Sequence, residues 1–302
     1  MQAIAEGVLA TLPLSSITVS ALNQTFAYHK PHIALLSLDC FDTLLWRTVA
    51  APKDIFAILA EHPLFKQHGI TAYQRRAAAA RAYRLQFAKT NQQEITLSDI
   101  YASFTHLSDS ERNALMAVEL ATEAAHLYAL PAMVKLMQMA MAERIPMIIV
   151  SDTYLSENEL RGLLKLQLPD DVYKAIAAVY CSSAYRKSKS TGLFADVLIK
   201  QNLTANQVLH IGDHPIADLK QPQTLGIRAH QLLHAEGETR TLMRLQNAAA
   251  SLDLLTEPNL NPQKPARFNP FRGLFASTPE TTNPATLIGY HSFGPILFAF
   301  AH

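Results

Sequence analysis

Four short segments of the chain carry side chains of the types that can bind phosphate or metal ions. Three of these segments directly follow apolar runs, and one precedes a helical pattern. These candidates are, in chain order, Asp39 and Thr43, Ser151 and Asp152, Lys189, and Asp213 and Asp218. The apolar runs 33–38, 147–150 and 208–211 predict buried strands. The carboxyl ends of parallel strands meet at the edge where open α/β sheets bind ligands. The spacing therefore predicts one site built from all four segments.

The residue types fit phosphoryl transfer. A carboxylate can attack phosphorus and form an acyl phosphate, which divides one difficult step into two easier ones. A carboxylate and a phosphate repel each other, so a cation is needed between them, and Mg²⁺ is held by one or two carboxylates together with substrate oxygens. A lysine and a hydroxyl group neutralise and orient the other phosphate oxygens. We therefore expect Mg²⁺ as the cofactor and a small phosphorylated compound, such as a sugar phosphate, as the substrate.

Over roughly residues 31–235, the four segments together resemble the motifs of the haloacid dehalogenase (HAD) superfamily of hydrolases. The resemblance implies that Asp39 is the nucleophile, that Ser151 binds phosphate and that Lys189 neutralises charge. The metal ligands that it implies are Asp39, the main-chain oxygen of Phe41, Asp213 and Asp218. Thr43, Asp152 and Arg47 are further candidates for binding the substrate. For Asp152, and also for Ser151, helix capping is the alternative.

The sequence also resembles a narrower bacterial group of predicted hydrolases. Three segments carry this resemblance: Asp39–Leu45, Ser151–Leu155 and Lys189–Phe194, the last being one residue shorter than the pattern of the group. Such proteins are often found beside glycosyltransferases in surface-polysaccharide synthesis. The resemblance thus implies that context and a glycosyltransferase as a partner.

Phe41 departs from the pattern of the phosphatases, which usually carry a general acid–base aspartate two residues after the nucleophile. Losing such a group typically costs about 10²–10⁴-fold in rate. Asp42 is a candidate replacement, although it is also typical of a turn. Dehalogenase members carry an aromatic or apolar residue here. A metal-independent dehalogenase is therefore one alternative, and a catalytically weak or silent scaffold domain is another.

After Asp152, helical and strand patterns alternate along the chain. This alternation predicts an α/β fold with a doubly wound parallel sheet. The resemblance implies a Rossmann-type core with an all-helical type-1 cap. The predicted division is an N-terminal helical extension (1–30), a core (31–48 and 141–235), a cap (49–140), and a C-terminal helix, proline-rich linker and apolar tail (236–302). Two interpretations of the tail stand side by side: it docks on the core, or it is the first element of a C-terminal partner domain.

The cap segment carries charges with two interpretations. Arg75, Arg76, Arg81 and Arg84 lie on one predicted helix. Most simply they form a solvated face, but one of them is a candidate to bind a substrate anion bidentately. Glu119 and Glu123 share a helix face because they are four residues apart, and we expect structural ion pairs there. His210 and His214 flank Asp213, yet the oxygen-rich site favours a hard cation over zinc.

Composition excludes several classes of protein. The chain has 302 residues and a formal net charge of +1, so no strong attraction to nucleic acid or anionic membranes is expected. No apolar run reaches the roughly 18–20 residues of a membrane span. The two cysteines are typical of buried free thiols in a cytosolic protein, and we expect the protein to be cytoplasmic.

Overall fold

The structure is a computed structural model that describes residues 15–49 and 51–234. The predicted C-terminal helix, linker and tail (236–302) and the possible partner domain at that end lie outside the described residues. So does the first part of the predicted N-terminal extension.

A six-stranded sheet forms the core, and every neighbouring pair of its strands is parallel. The described strands are β1 (Ser16–Thr18), β2 (Leu35–Leu38), β3 (Leu45–Arg47), β4 (Leu127–Ala129), β5 (Met147–Ser151), β6 (Ile176–Cys181), β7 (Val208–Gly212) and β8 (Arg228–Leu233). Their order across the sheet is β1-β8-β7-β2-β5-β6. From β2 the chain winds to β5 and β6, then crosses to β7 on the other side of β2. This confirms the doubly wound sheet and places its switch point between β2 and β7.

Helices cover both faces of this sheet. The described helices, including those outside these two layers, are α1 (Leu22–His29), α2 (Ile55–Glu61), α3 (Pro63–Gln67), α4 (Ala72–Thr90), α5 (Leu97–Tyr101), α6 (Asp109–Ala125), α7 (Pro131–Ala142), α8 (Glu157–Gln167), α9 (Asp170–Lys174), α10 (Ser182–Tyr185), α11 (Leu193–Gln201) and α12 (Gln221–Thr224). Successive strand residues point to opposite faces. Leu35 therefore packs with residues of α11, whereas Leu36 joins the larger cluster that includes α1 and α7.

Helices α2–α6 follow β3 and precede β4 along the chain, and they form a separate layer. Strands β3 and β4 pair as an antiparallel ribbon. Within this layer α2 and α5 each pack against α4 and α6. Thr71, Thr96 and Ser108 begin the last three of these helices, each with a capping box in which the side chain of the third helical residue bonds back. We call α2–α6 the cap.

Two short strands differ from the sequence-based expectation. Segment 49–140 was expected to be wholly helical, but Leu127–Ala129 pairs with Leu45–Arg47. The N-terminal extension was expected to hold helices only, but Ser16–Thr18 is an edge strand parallel to β8. A strand of three residues is too short to show a period of two, so its partner alone defines it.

The cysteines and the apolarity of the helices can be compared with the expectations from composition. Cys40 and Cys181 are buried and carry free thiols, as predicted. Within the described ranges, no helix combines the length and apolarity that crossing a bilayer requires.

Candidate active site

The predicted site residues lie at one edge of the sheet because their strands are parallel neighbours. Asp39 directly follows β2 and Asp213 directly follows β7, and the Asp39 amide donates a hydrogen bond to the Ile211 carbonyl at 2.9 Å. Ser151 is the last residue of β5, on the other side of β2, and it is buried. These ends lie at the switch point of the sheet, where a crevice forms.

Lys189 joins two of the motif carboxylates. Its Nζ donates to Asp39 Oδ1 and, at 2.5 Å, to Asp218 Oδ1. Although burial opposes it, the two carboxylates raise the pKa of Lys189 above its usual value, so the ammonium form persists. The neighbouring Lys187 instead pairs with Asp196 at the surface. The geometry therefore places Lys189, and not Lys187, at the candidate site.

Three carboxylates around this lysine could hold a metal ion. Oxygens of Asp39, Asp213 and Asp218 all lie within 4.8 Å of one another. Burial, with repulsion between neighbouring carboxylates, raises the pKa of Asp39 to about 7 and that of Asp213 to about 8. Three carboxylates against one ammonium leave negative charge in excess. Hard oxygen donors with surplus negative charge suit Mg²⁺, so these residues fit the expected cofactor.

Gly212 allows Asp218 to reach this cluster. A Cβ atom at Gly212 would lie 2.3 Å from Asp218 Cγ, so any side chain would displace the carboxylate. The amide of His214 donates to Asp218 Oδ2 at 2.9 Å. Burial opposes ionisation of Asp218, but Lys189 and His210 lower its pKa below the usual range. The glycine of the fourth motif is thus required by close packing.

His210 and Ser37 support Asp218 from within the sheet, and sequence reasoning missed this role. His210 Nε2 donates to Asp218 Oδ1 at 3.1 Å, and His210 Nδ1 accepts from Ser37 Oγ at 2.8 Å. Ser37 and His210 are register partners on β2 and β7. The sequence did carry a signal for this contact, because Ser37 and His210 are polar residues within otherwise apolar strands. His214 Nδ1 accepts from the amides of the following turn.

The loop after Asp39 turns sharply. Asp42 has a φ of 60°, in the left-handed region that Asn and Asp tolerate, and its amide donates to the Leu45 carbonyl. The Asp42 carbonyl accepts from His234. Thr43 is fully buried, and its hydroxyl has no hydrogen-bond partner among the residues that the structure describes. The predicted turn at Asp42 is confirmed, while its proton-transfer role stays a prediction.

Arg47 lies beside the site but binds residues of the protein. Its Nε donates to Glu123 at 2.7 Å and its Nη1 lies 3.5 Å from Asp42 Oδ2. Its guanidinium stacks on Phe41, 4.3 Å from the ring centroid. Arg47 therefore packs at the candidate site with its charge shared by two carboxylates.

The ion pairs expected at Glu119 and Glu123 are confirmed. Arg75 binds Glu119 bidentately, with its Nε at 2.6 Å and its Nη2 at 2.5 Å, and Glu123 pairs with Arg47. Arg75 is the buried arginine of α4, and its bidentate partner is this glutamate. Arg81 and Arg84 on the same helix are exposed. In the cap, Arg75 thus forms a structural ion pair, whereas Arg81 and Arg84 lie on a solvated face.

Asp152 belongs to the loop network of the site. Its Oδ1 accepts from the Lys189 amide at 2.8 Å, and burial raises its pKa. Helix α8 is capped by Ser156, whose side chain accepts from the amide of Glu159. Capping of α8 is therefore excluded as the role of Ser151 and Asp152.

A cavity of about 300 Å³ opens between these loops and the cap. Core residues on its wall include Phe41, Asp42 and Asp152, and α6 contributes Glu119 and Glu123. The cavity therefore borders the loops that carry the candidate site residues.

Comparison with known proteins gives matches among solved structures. A 2-haloacid dehalogenase from Pseudomonas syringae pv. Tomato DC3000 is 15% identical, with a TM-score of 0.46 over 73% of this chain and 99% of that chain. A haloacid dehalogenase-like hydrolase from Xanthomonas campestris is 15% identical, with a TM-score of 0.42 over 74% and 95%. A HAD family enzyme from Bacteroides thetaiotaomicron, in complex with magnesium and inorganic phosphate, is 16% identical, with a TM-score of 0.44 over 68% and 94%.

No protein-family model matches the chain, and no curated protein matches it.

Proposed function

We propose that the protein is a Mg²⁺-dependent HAD-type hydrolase that removes phosphate from a small phosphate ester through an acyl phosphate at Asp39. The observation that carries this proposal is the contact of Lys189 with both Asp39 and Asp218, with Asp213 within 4.8 Å of the two carboxylates. An ammonium beside a nucleophile-type carboxylate, together with a hard oxygen cluster, suits the charge of a phosphoryl group.

In the first step, an Asp39 oxygen attacks phosphorus while the bond from phosphorus to the ester oxygen breaks, and the leaving alkoxide takes a proton. In the second, water attacks phosphorus, the bond between phosphorus and the Asp39 oxygen breaks, and inorganic phosphate is released. Lys189 neutralises and orients the phosphoryl oxygens, and Ser151 and Thr43 offer hydroxyls at the same edge. Asp39, Asp213, Asp218 and the Phe41 carbonyl would hold Mg²⁺, which supplies positive charge against the phosphate.

Phe41 cannot donate the proton that the leaving oxygen needs. We expect hydrolysis of alkyl phosphates to be about 10²–10⁴-fold slower than that of aryl phosphates, whose leaving groups need little protonation. Phe41→Asp should raise kcat/KM on alkyl phosphates, provided the new carboxylate reaches the leaving oxygen. If Asp42 is the donor, Asp42→Asn should lower the alkyl rate and spare the aryl rate. Equal rates on both substrates in wild type and Asp42→Asn would reveal another proton donor.

The first test of the function replaces Asp39. Asp39→Asn keeps the shape and removes the nucleophile, so turnover of 4-nitrophenyl phosphate should fall by at least about 10⁴-fold. Chelation of Mg²⁺ by EDTA should also abolish it. Asp196→Asn is a matched control, because that carboxylate pairs with Lys187 outside the site.

The alternatives give different results. Phe41 favours a metal-independent dehalogenase, for which halide release would persist in EDTA. A silent scaffold would fold and bind Mg²⁺ but hydrolyse no phosphate ester. The cytoplasmic location, the role in surface-polysaccharide synthesis and a glycosyltransferase partner stay proposals that depend on the sequence resemblance.

A further inference from the structure

The cavity beside the candidate nucleophile has an uneven charge distribution. Four carboxylates line it: Asp42, Glu119, Glu123 and Asp152. Among the described residues of its wall, Arg47 is the single cation. A substrate group in this cavity therefore meets more negative than positive charge.

Glu119 accepts hydrogen bonds from four donors. Its Oε2 accepts from Arg75 Nε and from the Tyr101 hydroxyl at 2.7 Å, and its Oε1 accepts from Arg75 Nη2 and from the Tyr154 hydroxyl at 3.1 Å. Arg75 is 1% exposed and is absent from the described cavity wall, so the carboxylate stands between it and the cavity.

The charge of Arg47 is already shared within the protein. The guanidinium bonds to Glu123, approaches Asp42 and covers one face of Phe41. For Arg47 to bind an anionic group of a substrate, it would have to leave a carboxylate that is itself buried. Removing a cation from such a pair is costly because a charge is left uncompensated.

We infer that Glu123, within the surplus of carboxylates on the cavity wall, is a specificity-determining residue that excludes leaving groups with a negative charge and favours neutral or ammonium-bearing ones. The inference rests on the proposed phosphatase function. It adds a choice among phosphate esters: amino alcohols, amino sugars and polyols are accepted, whereas phosphorylated acids are rejected. Rejection by a like charge is an effective route to specificity.

The test compares phosphate esters that share one carbon skeleton. All three esters carry their phosphate on carbon 6. In addition, glucosamine 6-phosphate carries an ammonium, glucose 6-phosphate carries no further charge, and 6-phosphogluconate carries a carboxylate. We expect kcat/KM to fall in that order, with the acid at least about tenfold below the neutral ester. Where turnover of an ester is too slow, its Ki against hydrolysis of 4-nitrophenyl phosphate gives the same ranking.

Glu123→Gln tests the cause of the preference. The amide oxygen still accepts from Arg47, but a charge is lost and that of Arg47 is less compensated. The ratio of the neutral to the acidic ester should shrink several-fold. Glu111→Gln is the matched control, since it makes the same change on the same helix, outside the described cavity wall. It also keeps the capping box, which accepts glutamine. Its ratio should equal that of the wild type.

The outcomes separate the two proposals. If 4-nitrophenyl phosphate is hydrolysed but the acidic ester matches or exceeds the neutral one, the charge inference is wrong and the phosphatase proposal stands. An unchanged ratio in Glu123→Gln would also overturn the inference. If folded, Mg²⁺-loaded wild-type protein hydrolyses no phosphate ester at all, the proposed function itself fails.

Discussion

The core site and the cap both bury a basic side chain against carboxylates, but their charge balance differs. In the cap, Arg75 meets the single carboxylate Glu119, to which two tyrosine hydroxyls add hydrogen bonds. In the core, Lys189 meets Asp39 and Asp218, with Asp213 near both. The cap pair is internally balanced, whereas the core cluster has an excess of negative charge.

This difference separates a structural ion pair from a candidate site. Burying charge is costly, and a bidentate partner of opposite charge offsets part of that cost. An unbalanced cluster is instead costly to keep and shifts the pKa values of its members, which is typical of functional sites. Burial first, and then repulsion from neighbouring carboxylates, raise the pKa values of Asp39 and Asp213 in this cluster. An added cation should therefore stabilise the core cluster and leave the cap pair unaffected.

Among changes that compare the core with the cap, the largest effect is expected from Lys189→Met. Under the proposed function, loss of the ammonium removes the group that would neutralise phosphate, so kcat/KM should fall by about 10³-fold. The variant should be less stable without metal, and Mg²⁺ should raise its melting temperature without restoring turnover. Calorimetry with and without Mg²⁺ tests this, and Lys187→Met is the matched control. Turnover near that of wild type would remove Lys189 from the proposed chemistry.

A large effect on stability is expected from Arg75→Met. Glu119 would stay buried without its cation, and breaking such a pair typically costs about 3–5 kcal/mol. Denaturant unfolding measures this loss, which Mg²⁺ should not restore. Arg81→Met, on the exposed face of the same helix, should change stability by less than about 0.5 kcal/mol. Rescue of Arg75→Met by Mg²⁺ would contradict the separation between cap and core.

The smallest effect is a dependence of stability on pH in the metal-free protein. With pKa values of about 7 and 8, Asp39 and Asp213 hold protons that the unfolded chain has lost. Stability from these groups is therefore present at low pH and is lost as pH rises through 7 and 8. His29, whose pKa burial lowers to about 4, acts in the opposite direction only below about pH 6.5.

The measurement is the melting temperature between pH 6.5 and 8.5 in EDTA. We expect a fall of a few degrees, because about 1 kcal/mol corresponds to about 2–4 °C in a chain of this size. Asp213→Asn should flatten the slope, and saturating Mg²⁺ should do the same. A melting temperature that rises over this range would contradict the imbalance inferred for the core.

The core of the fold and most of the candidate site follow from local sequence patterns. The runs before Asp39, Ser151 and Asp213 are apolar throughout, as strands buried on both faces must be. Parallel pairing then brings their ends to one edge without further information. Helix starts at Thr71 and Ser108 were predictable for a similar reason, because a capping box is a signal four residues long.

The tertiary structure alone decided which charges meet. Arg75 lies 44 residues from Glu119, and Arg47 lies 76 residues from Glu123, so no helical or strand period relates the partners. The sequence marked the glutamates as structural, but it did not show that they also line a cavity with Phe41. That depends on how the cap packs over the loop after Asp39. The position of the candidate site at the sheet edge is thus determined by local sequence, while the charge around the neighbouring cavity is determined by packing between segments distant in the chain.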